Sequence, residues 1–123
     1  KVIWALNLRK KPVRDSKILI WGVSYKKDIG DTRESAAFDI MFDLLRKGAK
    51  VDYFDPFVKE FKVDNKTSKS IKYSPAKLKN YDLVLILTDH SSFNYEELAK
   101  KAKFVVDTRN AIKSRKHKNV SWF

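Results

Sequence analysis

A chain of 123 residues with 43% hydrophobic and 13% aromatic residues has enough apolar surface for one core, which excludes a disordered basic tail. It has no cysteine, which excludes a disulfide framework and thiolate chemistry within these residues, and no apolar run near the roughly 20 residues needed to span a bilayer. Lys and Arg number 27 against 15 Asp and Glu, and the resulting formal charge of +12 favours anionic partners: phosphorylated small molecules, nucleic acid or an acidic domain. Most of that lysine excess reads as solvated surface. The first residues lack a signal-peptide cleavage pattern, so the expected setting is soluble and cytoplasmic, with no membrane partner. The single methionine is Met41, and the economical expectation is a fragment of something longer.

Residues 1–9, KVIWALNLR, space Val2, Ile3 and Leu6 as the end of a helix, and Lys10 to Ser16, broken by Pro12, reads as a linker. Ile18 to Trp21 is a short apolar run stopped by Gly22, as in a strand covered on both faces. Asp31, with Glu34 three residues on, or Ser35 is suited to cap the next helix. That helix is signalled by Ala37, Ile40, Met41, Leu44 and Leu45 on one face, widened by Phe38 and Phe42, and ends at Arg46-Lys47-Gly48. Lys50 to Phe54 is a second strand closed by Asp55-Pro56, completing a right-handed βαβ unit with parallel strands.

From Val58 to Lys79 the lysine-rich sequence reads as a variable loop, with a short strand at Ile71 to Tyr73 and a short helix near Pro75 to Lys79. Leu83 to Leu87 is the most apolar run and the expected central strand, with Thr88, Asp89 and His90 at its tip. Ser91 or Ser92 is expected to start a helix carrying Phe93, Leu98 and Ala102. Lys103 to Asp107 is a further strand with Thr108, Arg109 and Asn110 at its tip, and Asn119 to Trp122 a last one. The pattern predicts an α/β, three-layer Rossmann-like domain whose mostly parallel central sheet is flanked by helices.

The three glycines, Gly22, Gly30 and Gly48, form neither GxGxxG nor GxxxxGK[ST], so an ordinary Rossmann dinucleotide site is not expected here. His90 and His117 are too scattered for a metal set, and no metal is expected. For His90 a turn-stabilising role beside Asp89 outweighs acid–base work. Lys26, Lys27, Arg33 and Arg109 fall next to strand ends, where lysine supplies a mobile point charge and arginine a two-pronged fork for phosphate. Solvated loop charge is an equal reading of those four from pattern alone. The basic run KSRKHK at 113–118 suits a phosphate backbone, but no nucleic-acid recognition signature accompanies it.

The stretch GVSYKKDIGDTRES, followed by a helix and KGAKVDYFDPFV, then LVLILTDHSSF and FVVDTRN, resembles the C-terminal domain of nucleotide-sugar dehydrogenases. These motifs stand in the family's order from Lys17 to the end. The resemblance implies residues 1–16 as the end of an inter-domain helix and linker, and 17–123 as the UDP-binding domain. The implied parent oxidises the C6 alcohol of a UDP-glucose or UDP-N-acetylhexosamine to a carboxylate in two NAD-dependent steps.

Carried over by motif, Tyr25 and Lys26 are the aromatic–lysine pair contacting the UDP-sugar, and Arg33 in DTRES reaches an NAD held mainly by another domain. Arg109 in DTRN contacts substrate, from the neighbouring subunit's side or across the domain cleft. Partners implied are the UDP-sugar, upstream NAD-binding and central domains, and a second subunit of a homo-oligomer, but not nucleic acid.

Two positions depart from the family's pattern: Gly30 replaces a frequent acidic residue, and Ala36 a frequent proline. The family's catalytic cysteine is also missing, so no catalytic residue is expected in this chain and the fragment alone is expected to be inactive. The competing expectation is a stand-alone basic nucleotide- or RNA-binding module.

Overall fold

The computed structural model describes residues 12–24, 36–63 and 66–123. Strand β1 (Lys17–Trp21) lies between β2 (Lys50–Phe54) and β5 (Leu83–Ile86), and β6 (Val105–Asp107) and β7 (Val120–Trp122) extend the sheet beyond β5. All four pairings are parallel. Every apolar residue within β1 and β5 is buried because both sheet faces are covered, while Leu87, the last residue of the second run, lies beyond β5 and is half-buried.

Helix α1 (Ala37–Arg46) covers one face, burying Ala37, Met41 and Leu44 against Ile18, Ile20, Tyr53 and Leu85. The other face receives α2 (Tyr95–Lys101) and a 3₁₀ turn (Pro75–Asn80), through Leu98, Ala99 and Leu78 against Leu19, Trp21, Val84 and Ile86. These are the three layers expected from the alternation of apolar runs and helical spacing. Each fully buried side chain of Leu or Ile size contributes about 1.5–3 kcal/mol relative to exposure.

The end of α1 follows its sequence closely. Gly48 takes a φ of +90°, its N–H donates to the carbonyl of Leu45 at 3.0 Å, and Ala49 N–H donates to Leu44 at 3.1 Å, the paired bonds of a glycine-terminated helix. The start of α1 differs from expectation: its cap position is Ala36, without a side-chain bond. Asp31, Glu34 and Ser35, and the helix expected over residues 1–9, lie outside the described residues. Leu45 and Phe42, assigned to the apolar face by spacing, are exposed at 39% and 37%. The buried stripe is narrower and centred on Met41.

Three further expectations are corrected. The stretch read as a loop contains an antiparallel hairpin, β3 (Glu60–Val63) with β4 (Lys66–Lys69), whose lysine-rich KTSK strand lacks the apolar alternation that would announce it. Ile71 to Tyr73 is not a strand; Ser70 makes an isolated bridge to Tyr53 and Ile71 N–H bonds its carbonyl. Helix α2 starts after Asn94, not after Ser91 or Ser92, because the Asn94 side chain accepts the N–H of Glu97 at 3.0 Å. Phe93 consequently sits before the helix.

Candidate functional site

From β1 the chain moves outward to β2, then returns across β1 to β5 and on to β6 and β7. The direction therefore reverses between β1 and β5, and the crevice outside their carboxyl ends is where an open parallel sheet binds ligands. At this point Gly22 has a φ of +89°, and a Cβ there would fall 2.5 Å from Thr88 Cβ and 2.7 Å from the Thr88 carbonyl oxygen. Glycine lets the two strand ends touch.

A buried polar network fills the floor of that crevice. Oδ2 of Asp55 accepts the N–H of Val23 at 2.9 Å, the N–H of Ser24 at 3.1 Å and the Ser24 hydroxyl at 2.8 Å. His90 Nε2 meets the same oxygen at 2.9 Å, with both side chains fully buried. Oδ1 accepts the N–H of Phe57 at 2.8 Å, and Thr88 Oγ1 donates to the Ser24 carbonyl at 2.7 Å. Burial pushes the Asp55 carboxyl up, but the bonds from His90, Phe57, Val23 and Ser24 outweigh it and hold the group below its ordinary value. An ionised carboxylate only accepts, so Nε2 of His90 carries a proton.

Aromatic rings pack beside this network. Trp21 lies 4.8 Å from Phe54 and 5.1 Å from Phe93, centroid to centroid, and Phe57 lies 5.0 Å from the His90 ring. Tyr95 links the two regions: its hydroxyl donates to the His90 carbonyl at 2.6 Å and accepts from Trp21 Nε1 at 3.3 Å.

Arg109 stands at the neighbouring strand end. Asp107, fully buried at the end of β6, accepts the N–H groups of Arg109 at 2.9 Å and Ala111 at 3.2 Å through Oδ1, and of Ile112 at 2.9 Å through Oδ2. This side-chain-directed turn is completed by Asn110 at a φ of 57°. Arg109 Nε donates to the Leu87 carbonyl at 2.6 Å, which lays the exposed guanidinium across the end of β5. A guanidinium fixed through Nε keeps its two-nitrogen edge for an anion.

The sequence-predicted tips of β5 and β6 therefore meet on one sheet edge. Tyr25, Lys26, Lys27 and Arg33 lie outside the described residues, and the chain enters their segment from Ser24. His90, read from the sequence as a turn stabiliser beside Asp89, is fully buried and meets Asp55 through Nε2. Asp55, Ser24, Thr88 and Asp107 were not singled out by the sequence as site residues. The Asp-Pro and Asp-Thr-Arg-Asn turn signals mark two of them, whereas the Asp55–His90 pairing spans 35 residues and has no local signal.

The first amides after Gly22 are not free for a dinucleotide. There a Rossmann site presents backbone N–H groups to a pyrophosphate, but here those of Val23 and Ser24 are taken by Asp55. Among the described residues no group of three or more His, Asp or Glu is placed to hold a metal ion. Nor is any described helix long and apolar enough to cross a membrane.

Residues 19–114 match the model of the UDP-glucose/GDP-mannose dehydrogenase family, UDP binding domain. The chain belongs to this family. It is 36% identical over 114 residues to a UDP-N-acetyl-D-mannosamine dehydrogenase of Methanococcus aeolicus, covering 86% of this chain and 25% of that protein. It is 44% identical over 68 residues to UDP-glucose 6-dehydrogenase of Drosophila melanogaster, covering 54% of this chain and 14% of the relative. The crystal structure of NDP-N-acetyl-D-galactosaminuronic acid dehydrogenase from Methanosarcina mazei superposes on 99% of this chain and 27% of that one, with a TM-score of 0.79 and 22% identity, a likeness of fold. The chain thus spans about a quarter of the length of M. aeolicus protein it matches.

Proposed function

We propose that this chain is the UDP-sugar-binding part of an NAD-dependent nucleotide-sugar 6-dehydrogenase, acting on UDP-glucose or a UDP-N-acetylhexosamine. The observation that carries the reading is the placement of Arg109, whose turn is built by Asp107 and whose Nε is tied to Leu87 beside the crevice where the sheet reverses. Arg109 takes oxygens of the substrate diphosphate, and Tyr25 and Lys26, by motif, hold the same substrate. Arg33 extends to NAD. Residues 1–16 lead in from the preceding domain, and 17–123 form the binding unit.

NAD supplies the hydride acceptor for the oxidation and is held mainly by other domains of the parent, consistent with the occupied amides after β1. This part of the chain orients substrate, and its contribution is positioning for chemistry done elsewhere. The intact enzyme is cytoplasmic and a homo-oligomer in this reading.

The test is steady-state kinetics of the intact dehydrogenase with Lys26→Ala. The KM for the UDP-sugar is expected to rise about tenfold, the loss of one charge-assisted contact. An unchanged KM contradicts the assignment.

A further inference from the structure

The basic run KSRKHK, which in sequence suits a phosphate backbone, lies in the connection from β6 to β7 and is tied to the body of the fold. Glu96, in the first turn of α2, accepts the N–H of Lys113 at 3.1 Å and of Ser114 at 3.5 Å through Oε2, and meets His117 Nε2 at 3.0 Å through Oε1. The three lysines of the run are exposed, whereas Arg115 has two directed contacts. Its Nη2 donates to Asn110 Oδ1 at 2.8 Å, and its guanidinium lies 4.5 Å from the centre of the Trp122 ring. Trp122 is itself anchored, with Nε1 donating to the Ile112 carbonyl at 2.9 Å, and it stands opposite Asp107 where β6 and β7 end. Arg115 is thereby held at the same sheet edge as Arg109. Asn110 directly follows Arg109 and keeps a left-handed φ of 57°. Asp107 fixes this turn through backbone N–H groups, and Arg115 fixes it through a side chain. Contacts of an exposed arginine contribute little to stability, so the value of this one lies in the conformation it selects.

We propose that Arg115 is a positioning residue for the nucleotide-sugar site: through Asn110 it holds the turn that aims Arg109 at the substrate diphosphate. This rests on the reading of Arg109 as a substrate contact. Arg115 acts through Asn110 and touches no substrate. A planar guanidinium lies on the Trp122 ring and donates to Asn110 at once, which the compact ammonium of a lysine does not reproduce. Without it Asn110 leaves the left-handed region more readily, and Arg109 spends less time in its place across the end of β5. The loss is partial, because Asp107 and the Leu87 carbonyl still hold Arg109.

The experiment is a set of double-mutant cycles on the intact dehydrogenase, with KM for the UDP-sugar and kcat read separately and a urea midpoint taken for each variant. Arg115→Leu is expected to raise that KM about fivefold while kcat stays within about twofold and the urea midpoint does not move. Arg115→Lys keeps the charge and is expected to leave the KM raised by about threefold or more. In the Arg109→Ala background Arg115→Leu is expected to add less than about 1.5-fold, because the residue it positions is gone. The same near-silence is expected in Asn110→Gly, which keeps the left-handed turn but lacks the acceptor. Multiplicative effects of Arg115→Leu with either substitution, a wild-type KM in Arg115→Lys, or a KM rise matched by a fall in the urea midpoint overturn the inference. So does an unchanged KM in Arg115→Leu while Arg109→Ala raises it. Indifference of the KM to Arg109→Ala overturns instead the reading beneath it.

Discussion

Arg109 and Leu87 are joined across two adjacent strand ends, the Nε of the arginine donating to the leucine carbonyl at 2.6 Å. The bond uses the one guanidinium nitrogen that points back along the side chain. Arg109→Lys keeps the charge but loses both this tether and the fork. It is expected to weaken binding of a UDP-sugar by about tenfold, nearly as much as Arg109→Ala, while changing stability by less than about 0.5 kcal/mol because the side chain is exposed. Calorimetric titration and urea denaturation of the same variants check the two halves.

Of the two described glycines, Gly22 is the one at which an added Cβ would meet the closer neighbours. Gly22→Ala must hold a left-handed backbone and place a Cβ 2.5 Å from that of Thr88 with backbone atoms close behind, so neither a rotamer change nor a small shift relieves it. A loss of more than about 2 kcal/mol is expected from denaturant unfolding. A change within about 0.5 kcal/mol would show that the β1 and β5 ends do not meet as described.

Acid should weaken the fold through Asp55. Its folded value lies below the ordinary 3.8, so the stability it contributes is fully present above the unfolded value. That contribution is lost as the pH falls through 3.8 and then through the lower folded value. Asp55→Asn is expected to flatten this part of the stability–pH curve. It also lowers stability at neutral pH by about 1–3 kcal/mol, because an amide offers one acceptor where both carboxylate oxygens are used. Urea midpoints from pH 3 to 7 report both effects.

At the alkaline end Tyr53 has the opposite sign. Burial, then the charge of Asp55, pushes its phenol from 10.0 up to about 12, and its hydroxyl donates to the Val58 carbonyl at 2.9 Å inside the core. The stability it contributes is complete below pH 10 and is lost as the pH rises from there through about 12. Tyr53→Phe should cost about 1 kcal/mol at neutral pH and reduce the alkaline decline, measured by thermal unfolding with phenolate absorbance recorded in parallel.

The sequence made the frame legible where burial is continuous. The short apolar runs in KILIW and LVLIL, bounded by turn residues, suit strands covered on both faces, and the Ala37–Met41–Leu44 spacing suits a helix laid on one sheet face. Such signals are local, and they located β1, α1 and β5. The β3–β4 hairpin was invisible because β4 is all polar and mostly exposed, with no apolar alternation to announce it. Asn94 was readable, since Glu97 follows three residues later, yet two serines just upstream offered the same chemistry; Ser92 instead takes a φ of 71°. In the site, Arg109 was marked by its place after an apolar strand. The Asp55–His90 contact was not, because a pairing across two strand ends depends on sheet order, which no short stretch encodes.

The most direct test is calorimetric titration of this chain with UDP at two salt concentrations, with a short RNA as control and Lys26→Ala and Arg109→Ala as variants. The account predicts saturable UDP binding, weakened by each substitution, and no comparable RNA response. No saturable UDP binding, with RNA bound along a steep salt slope, or a UDP affinity indifferent to both substitutions, would contradict it.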